Sequence, residues 1–146
     1  MTGWGAVWVL AMSVCFLTPS PLFAQVFVED QILESLSGHP GDVARGRALV
    51  VSRQEGLCIL CHSGPFPEER FQGNLAPDLA ASSARLSPAQ LRARIVDASR
   101  FNPDTIMPSY FRTEGLTRVA PQFAGKTILT AQDIEDVVAF LVSLKP

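Results

Sequence analysis

The sequence predicts an all-α domain, and three local patterns carry that prediction. Near the carboxy terminus, Ile134, Val137, Val138, Leu141 and Leu144 recur at helical spacing behind Thr130, with Asp133 three residues after the threonine. In Ser87-Pro88-Ala89-Gln90, serine takes the N-cap, proline the first helical position, and glutamine closes a capping box. Asp42 precedes Val43, Gly46, Leu49 and Val50, which fall on one face of a helix running to about Ser52. A chain of 146 residues is long enough for one domain with a real core and too short for two.

At the amino terminus, Trp4 to Leu17 form an almost continuous apolar run, followed by Thr18-Pro19-Ser20-Pro21 and Leu22-Phe23-Ala24-Gln25. This is the shape of a secretory signal peptide over residues 1–24, cut after Ala24. It departs from the pattern in having no early Lys or Arg and in the bulk of Leu22. A retained anchor is the alternative, but about 14 apolar residues fall short of the ~20 needed to span a bilayer. Cleavage would remove Cys15 and leave Cys58 and Cys61 as the only thiols.

Residues 25–40 form an amino-terminal extension, apolar enough at Val26, Phe27, Val28, Ile32, Leu33 and Leu36 to be a short helix or an arm packed on the main domain. His39, beside Pro40 and Gly41, reads as a solvated turn histidine. The main domain spans 41–146. Gly46 inside the first helix costs about 1 kcal/mol relative to alanine; either a second helix approaches closely there or the glycine is simply tolerated.

Cys58-Ile59-Leu60-Cys61-His62 carries the chemistry. A Cys-x-x-Cys-His run is the attachment signature of a c-type haem, in which two thiols bond the porphyrin and the adjacent histidine is an axial ligand. Cysteines at i and i+3 of a helical turn lie on one face, where both sulfurs reach one edge of a flat macrocycle. A structural disulfide, a thioredoxin-like pair and half of a zinc site use the same spacing. Zinc would need two further ligands nearby, and a thioredoxin-like pair a β-α-β context, whereas a helix and a polar turn precede Cys58.

Ser63-Gly64-Pro65-Phe66-Pro67 begins a loop that continues to Asn74-Leu75-Ala76-Pro77-Asp78-Leu79. Pro77 either offers its carbonyl to the His62 Nδ1–H or sits in an ordinary surface turn. The helix opened by Ser87 should end near Ser99, burying Leu91, Ile95 and Ala98, with Arg92 and Arg94 pointing elsewhere. Beyond Asn102-Pro103 stands Met107, the one methionine left after cleavage, stiffened by Pro108. A thioether favours ferrous iron, so Met107 is the candidate second axial ligand opposite His62. Residues 111–126 read as a long haem-covering loop whose Arg112, Arg118 and Lys126 face propionates, a partner or solvent. In the last helix Phe140 is placed to lie near Gly46, as in the crossing of terminal helices that closes a small cytochrome core.

Lys and Arg number 12 against 14 Asp and Glu, a net charge of −2, which gives no footprint for nucleic acid or an anionic membrane. The fold expected is therefore a single cytochrome c-type domain: helices around one covalently attached haem c, long covering loops and an amino-terminal extension, exported to the periplasm.

Longer runs point further. Gly41-Asp42 with Arg45-Gly46-Arg47, Gly56-Leu57 with the haem motif and Ser63-Gly64-Pro65-Phe66-Pro67, and Gly73 to Leu79 are the first set. Asn102-Pro103-Asp104-Thr105-Ile106-Met107-Pro108-Ser109-Tyr110 and Leu129 to Leu141 complete it. Over its whole mature region the chain resembles SoxX, the monohaem cytochrome c subunit of the SoxAX complex of bacterial thiosulfate oxidation. That resemblance implies haem on Cys58 and Cys61, axial ligation by His62 and Met107, and a partner, SoxA, which carries the sulfur chemistry. It implies that the pair joins thiosulfate to a cysteine of the carrier SoxYZ, as an L-cysteine S-thiosulfotransferase, and that this subunit passes electrons to a soluble cytochrome c. A stand-alone periplasmic electron carrier is the alternative. A haem peroxidase or gas sensor is a third reading and would need a vacant or labile distal site.

Overall fold

The computed structural model describes residues 26–145. The expected signal peptide, and Cys15 with it, lies outside the described residues. Among the described residues, no helix is long and apolar enough to cross a membrane.

The chain is mostly helical. A short antiparallel ribbon of β1 (Phe27–Val28) and β2 (Gln31–Ile32) leads to α1 (Val43–Val51), α2 (Leu79–Arg85), α3 (Pro88–Asp97) and α4 (Ala131–Ser143). Cys58–Leu60 forms a 3-10 turn, as do Ala98–Arg100 and Pro121–Phe123.

Each helix starts where a side chain satisfies its free N–H groups. Asp42 accepts from Arg45 N, Ser87 and Gln90 form a reciprocal capping box, and Thr130 and Asp133 form another. Helix α2 was not foreseen. Its start signal is Asp78, which accepts from Ala81 N ahead of an alanine-rich run.

Helices α1 and α4 cross at the glycines. A Cβ on Gly46 would overlap the Asp136 carbonyl and stand 2.9 Å from Phe140 Cβ; one on Gly41 would overlap the Glu135 carbonyl. Close approach of a second helix is thus the reason for the mid-helix glycine. Asp136, buried on α4, accepts from Asp42 N and Gln132 Nε2, both at 2.8 Å, and lies 2.8 Å from Arg45 Nε. Val43, expected on the buried face of α1, is exposed, because the crossing begins at Gly41 and Gly46 and leaves that corner of the helix to solvent.

The amino-terminal segment is an arm, not a helix. Ile32 and Leu36 enter the core, Leu36 N donates to Glu135 Oε1 at 2.9 Å, and Arg92 Nη1 donates to the Ile32 carbonyl at 2.8 Å. Arg92 therefore does not point away as expected. It is buried on α3 and makes a two-pronged pair with Glu135 of α4, Nε to Oε1 and Nη2 to Oε2, each at 2.8 Å. Ala98 is only half-buried, because α3 has already tightened into its 3-10 turn.

Candidate haem site and relatives

The attachment motif lies on a 3-10 turn rather than an α-helical one, entered through Leu57 in the left-handed conformation (φ 61°). Leu60 N donates to the Leu57 carbonyl, and Cys61 N and His62 N both to the Cys58 carbonyl, at 2.9–3.1 Å. Cys58 and Cys61 are both unbridged and half-buried. Burial pushes the Cys58 thiol up to about 11, against the neighbouring Tyr110 hydroxyl, which acts to lower it. A thioredoxin-like cysteine is activated in the opposite direction.

The run after the motif folds back along it. Gly73 N donates to the Ile59 carbonyl (2.9 Å), Ala76 N to Cys61 (3.0 Å) and Leu79 N to Ser63 (2.8 Å). A Cβ at Gly73 would overlap Leu60 and Cys61 backbone, so only glycine lets this run lie so close. The result puts the Pro77 carbonyl 2.6 Å from His62 Nδ1. With the Nδ1 proton committed there, Nε2 keeps its lone pair for a metal.

Sequence reasoning passed over Gln72. It ties the loop together, accepting from Gly64 N at 2.7 Å and donating to the Phe66 and Glu69 carbonyls at 2.8 and 3.1 Å. Phe66, fully buried, stacks on Phe140 with centroids 5.9 Å apart, fastening the motif to the helix crossing.

Met107 lies on a separate segment, half-buried against the same core as Cys58. Thr105 Oγ1 accepts from Met107 N at 3.2 Å. Three residues on, Tyr110 is 3 % exposed and donates its hydroxyl to the Gly56 carbonyl at 2.7 Å. The Met107 segment and the motif are thereby joined. Of the loop cations, Arg112, Arg118 and Lys126 line a cavity of about 250 Å³ with Pro108 and Ser109. A larger cavity of about 460 Å³, between α1 and the start of α4, is lined by none of the four candidate haem residues.

The donor set fits a c-type haem: two thiols a turn apart, an imidazole whose second nitrogen is engaged, and a thioether on a segment tied to the motif through Tyr110. Large apolar side chains are exposed at Leu60 within the motif, at Leu75 on the run folded back along it, and at Ile106 next to Met107 in the chain. Among the described residues no three His, Cys, Asp or Glu side chains converge in a cluster that could hold a metal ion.

Helix crossing, motif and engaged histidine are the features of a cytochrome of the c type. One chain of the crystal structure of SoxXA from P. pantotrophus is similar, with 37 % identity and a TM-score of 0.75, over 83 % of this chain and 94 % of that one. The chain belongs to the SoxX family. No protein-family model and no curated protein sequence matches it.

Proposed function

We propose that this chain is the monohaem electron-transfer subunit of a periplasmic SoxAX complex, a thiosulfate-oxidising enzyme. Cys58 and Cys61 would hold the haem as thioethers, and His62 and Met107 would ligate its iron. The observation that carries this reading is the 2.6 Å contact of His62 Nδ1 with the Pro77 carbonyl, which orients the ring and leaves Nε2 for iron. The bound haem supplies one-electron chemistry, its potential raised by a thioether ligand.

The chain's own residues do the rest. Pro77 fixes the tautomer and basicity of His62; Gln72 and Gly73 hold the loop that carries Pro77; Tyr110 ties the Met107 segment to the motif, and Thr105 braces the Met107 backbone within its own turn. With His62 and Met107 both on the iron, no position would be open to substrate, so the sulfur chemistry, the coupling of thiosulfate to a SoxYZ cysteine, would belong to the partner SoxA. This chain would then pass electrons to a soluble cytochrome c. The similarity to a chain of SoxXA supports the choice of partner.

The test is thiosulfate-dependent reduction of the haem, followed at its ferrous absorption bands, with the purified chain alone and with SoxA and SoxYZ added. Reduction only with the partners is expected. No reduction in their presence, with normal reduction by dithionite, would leave the stand-alone carrier reading.

A further inference from the structure

The residues that carry Met107 have their firmest attachment outside the haem motif, on the end of α3. Asp97, 4 % exposed, ends the helix and turns its carboxylate inward. Its Oδ1 accepts from Ser109 Oγ at 2.5 Å and from Ser99 Oγ at 2.6 Å, and Arg112 Nε lies 3.4 Å from Oδ2. Ser109 is itself 8 % exposed. The backbone that follows Ser109 is pinned to the same helix end, Tyr110 N to the Ile95 carbonyl and Phe111 N to the Val96 carbonyl, both at 3.3 Å.

Burial alone would raise the Asp97 carboxyl, but the hydroxyls of Ser109 and Ser99 and the Arg112 guanidinium outweigh it and hold the group below its usual range. Ser109 therefore donates to a charge in a dry site, where a hydrogen bond is stronger than between neutral groups. Ser109 stands two positions after Met107, a reach of at most ~7 Å. Upstream, Thr105 N is bonded to the Asn102 carbonyl at 3.1 Å and Thr105 Oγ1 to Met107 N at 3.2 Å. Asn102 N is in turn bonded to the Ala98 carbonyl at 3.1 Å, so the backbone that carries Met107 is tied to the end of α3 upstream as well as through Ser109.

We propose that Asp97 is the positioning residue for Met107: acting through the Ser109 hydroxyl, it holds the methionine segment in place as the distal iron ligand. This rests on the reading of Met107 as that ligand. Ser99 shares the same carboxylate oxygen but lies on the helix side, so its hydroxyl serves the charge without holding the methionine segment.

The experiment titrates imidazole against the ferric haem-loaded protein, where it competes with Met107, and records the thioether-to-iron charge-transfer absorption and the unfolding midpoint of each variant. Ser109→Ala and Asp97→Asn should bind imidazole about tenfold more tightly or better, the equivalent of one charge-assisted hydrogen bond lost from the methionine-bound state. Ser99→Ala should stay within about twofold of the parent, and Ser109→Thr, which keeps a hydroxyl, should restore parental affinity. Met107→Ala sets the limit of an open site. If Met107→Ala binds tightly while Ser109→Ala and Asp97→Asn bind like the parent, Met107 is the ligand and Asp97 does not position it. If Met107→Ala binds like the parent and keeps the charge-transfer absorption, the ligand assignment itself fails. Should Asp97→Asn not load haem, Ser109→Ala and its threonine rescue decide. An effect of Ser99→Ala equal to that of Ser109→Ala would overturn the proposal.

Discussion

The hydroxyl of Tyr110 donates to the Gly56 carbonyl at 2.7 Å, and Cys58 Sγ donates to the same oxygen at 3.3 Å. Two segments 54 residues apart thus meet on one buried acceptor. A thioether has no S–H. Once Cys58 is bonded to haem, Tyr110 is the donor that remains of the two.

Tyr110→Phe should therefore leave the Gly56 carbonyl without either donor in the haem-loaded protein. Loss of a partner to a buried backbone group costs about 1–3 kcal/mol. Urea denaturation of the loaded parent and variant, followed by far-ultraviolet circular dichroism, measures it. An unchanged midpoint would mean that water or a shifted backbone takes the hydroxyl's place.

Gly46→Ala adds a methyl where the Asp136 carbonyl and Phe140 Cβ already stand. Helix propensity favours alanine by about 1 kcal/mol. The overlap is with backbone, which cannot swing aside, and overpacking typically costs about 1–3 kcal/mol and occasionally more. The variant should be less stable than the parent by thermal unfolding. A rise in stability would show that α1 and α4 can separate at little cost.

Arg92→Met leaves Glu135 buried with Leu36 N as its remaining close donor. Removing one member of a buried ion pair costs about 3–5 kcal/mol. The amino-terminal arm should loosen at the same time, because Arg92 also holds the Ile32 carbonyl. Amide hydrogen exchange at residues 32–36 reports the arm, and global unfolding reports the pair. The double variant with Glu135→Leu should recover much of the lost stability, since it removes the stranded charge.

Acid sensitivity follows from Asp133. Burial would raise its carboxyl, but bonds from Thr130 and the Arg45 guanidinium outweigh burial and hold it low. A carboxyl with a folded pKa below its unfolded value stabilises the fold above the unfolded value, near ~3.9, and that contribution is lost as pH falls through the folded value. At neutral pH Asp133→Asn should cost about 1 kcal/mol, the worth of a cap. The gap between parent and variant should close as the pH is lowered below about 4. A gap independent of pH would show that charge is not what the cap requires.

Much of this arrangement was legible along the chain. Asp42, the Ser87–Gln90 box and Thr130–Asp133 each place a hydrogen-bonding side chain three residues from its N–H, so the helix starts needed no tertiary information. The pairing of Gly46 with Phe140 was visible because a costly glycine calls for a close neighbour. The Pro77 carbonyl was foreseen opposite His62, and the structure finds it there. Arg92 was misplaced for a physical reason: a guanidinium is assigned to solvent unless its counter-charge is known, and Glu135 lies 43 residues away. Helix α2 was missed although Asp78 and its alanines announced it.

By itself, then, the sequence determined the covalent chemistry on offer, the helix starts and the candidate ligands, because those depend on residue type and on spacings of three or four. Only the tertiary structure decided how the segments that carry those candidates are tied to the rest of the fold. Asp97 reaches Ser109, Tyr110 reaches Gly56, and Arg92 joins the arm to α4 through buried groups that are distant along the chain. Such bonds are strong because they are removed from water, and burial exists only once the helices have closed.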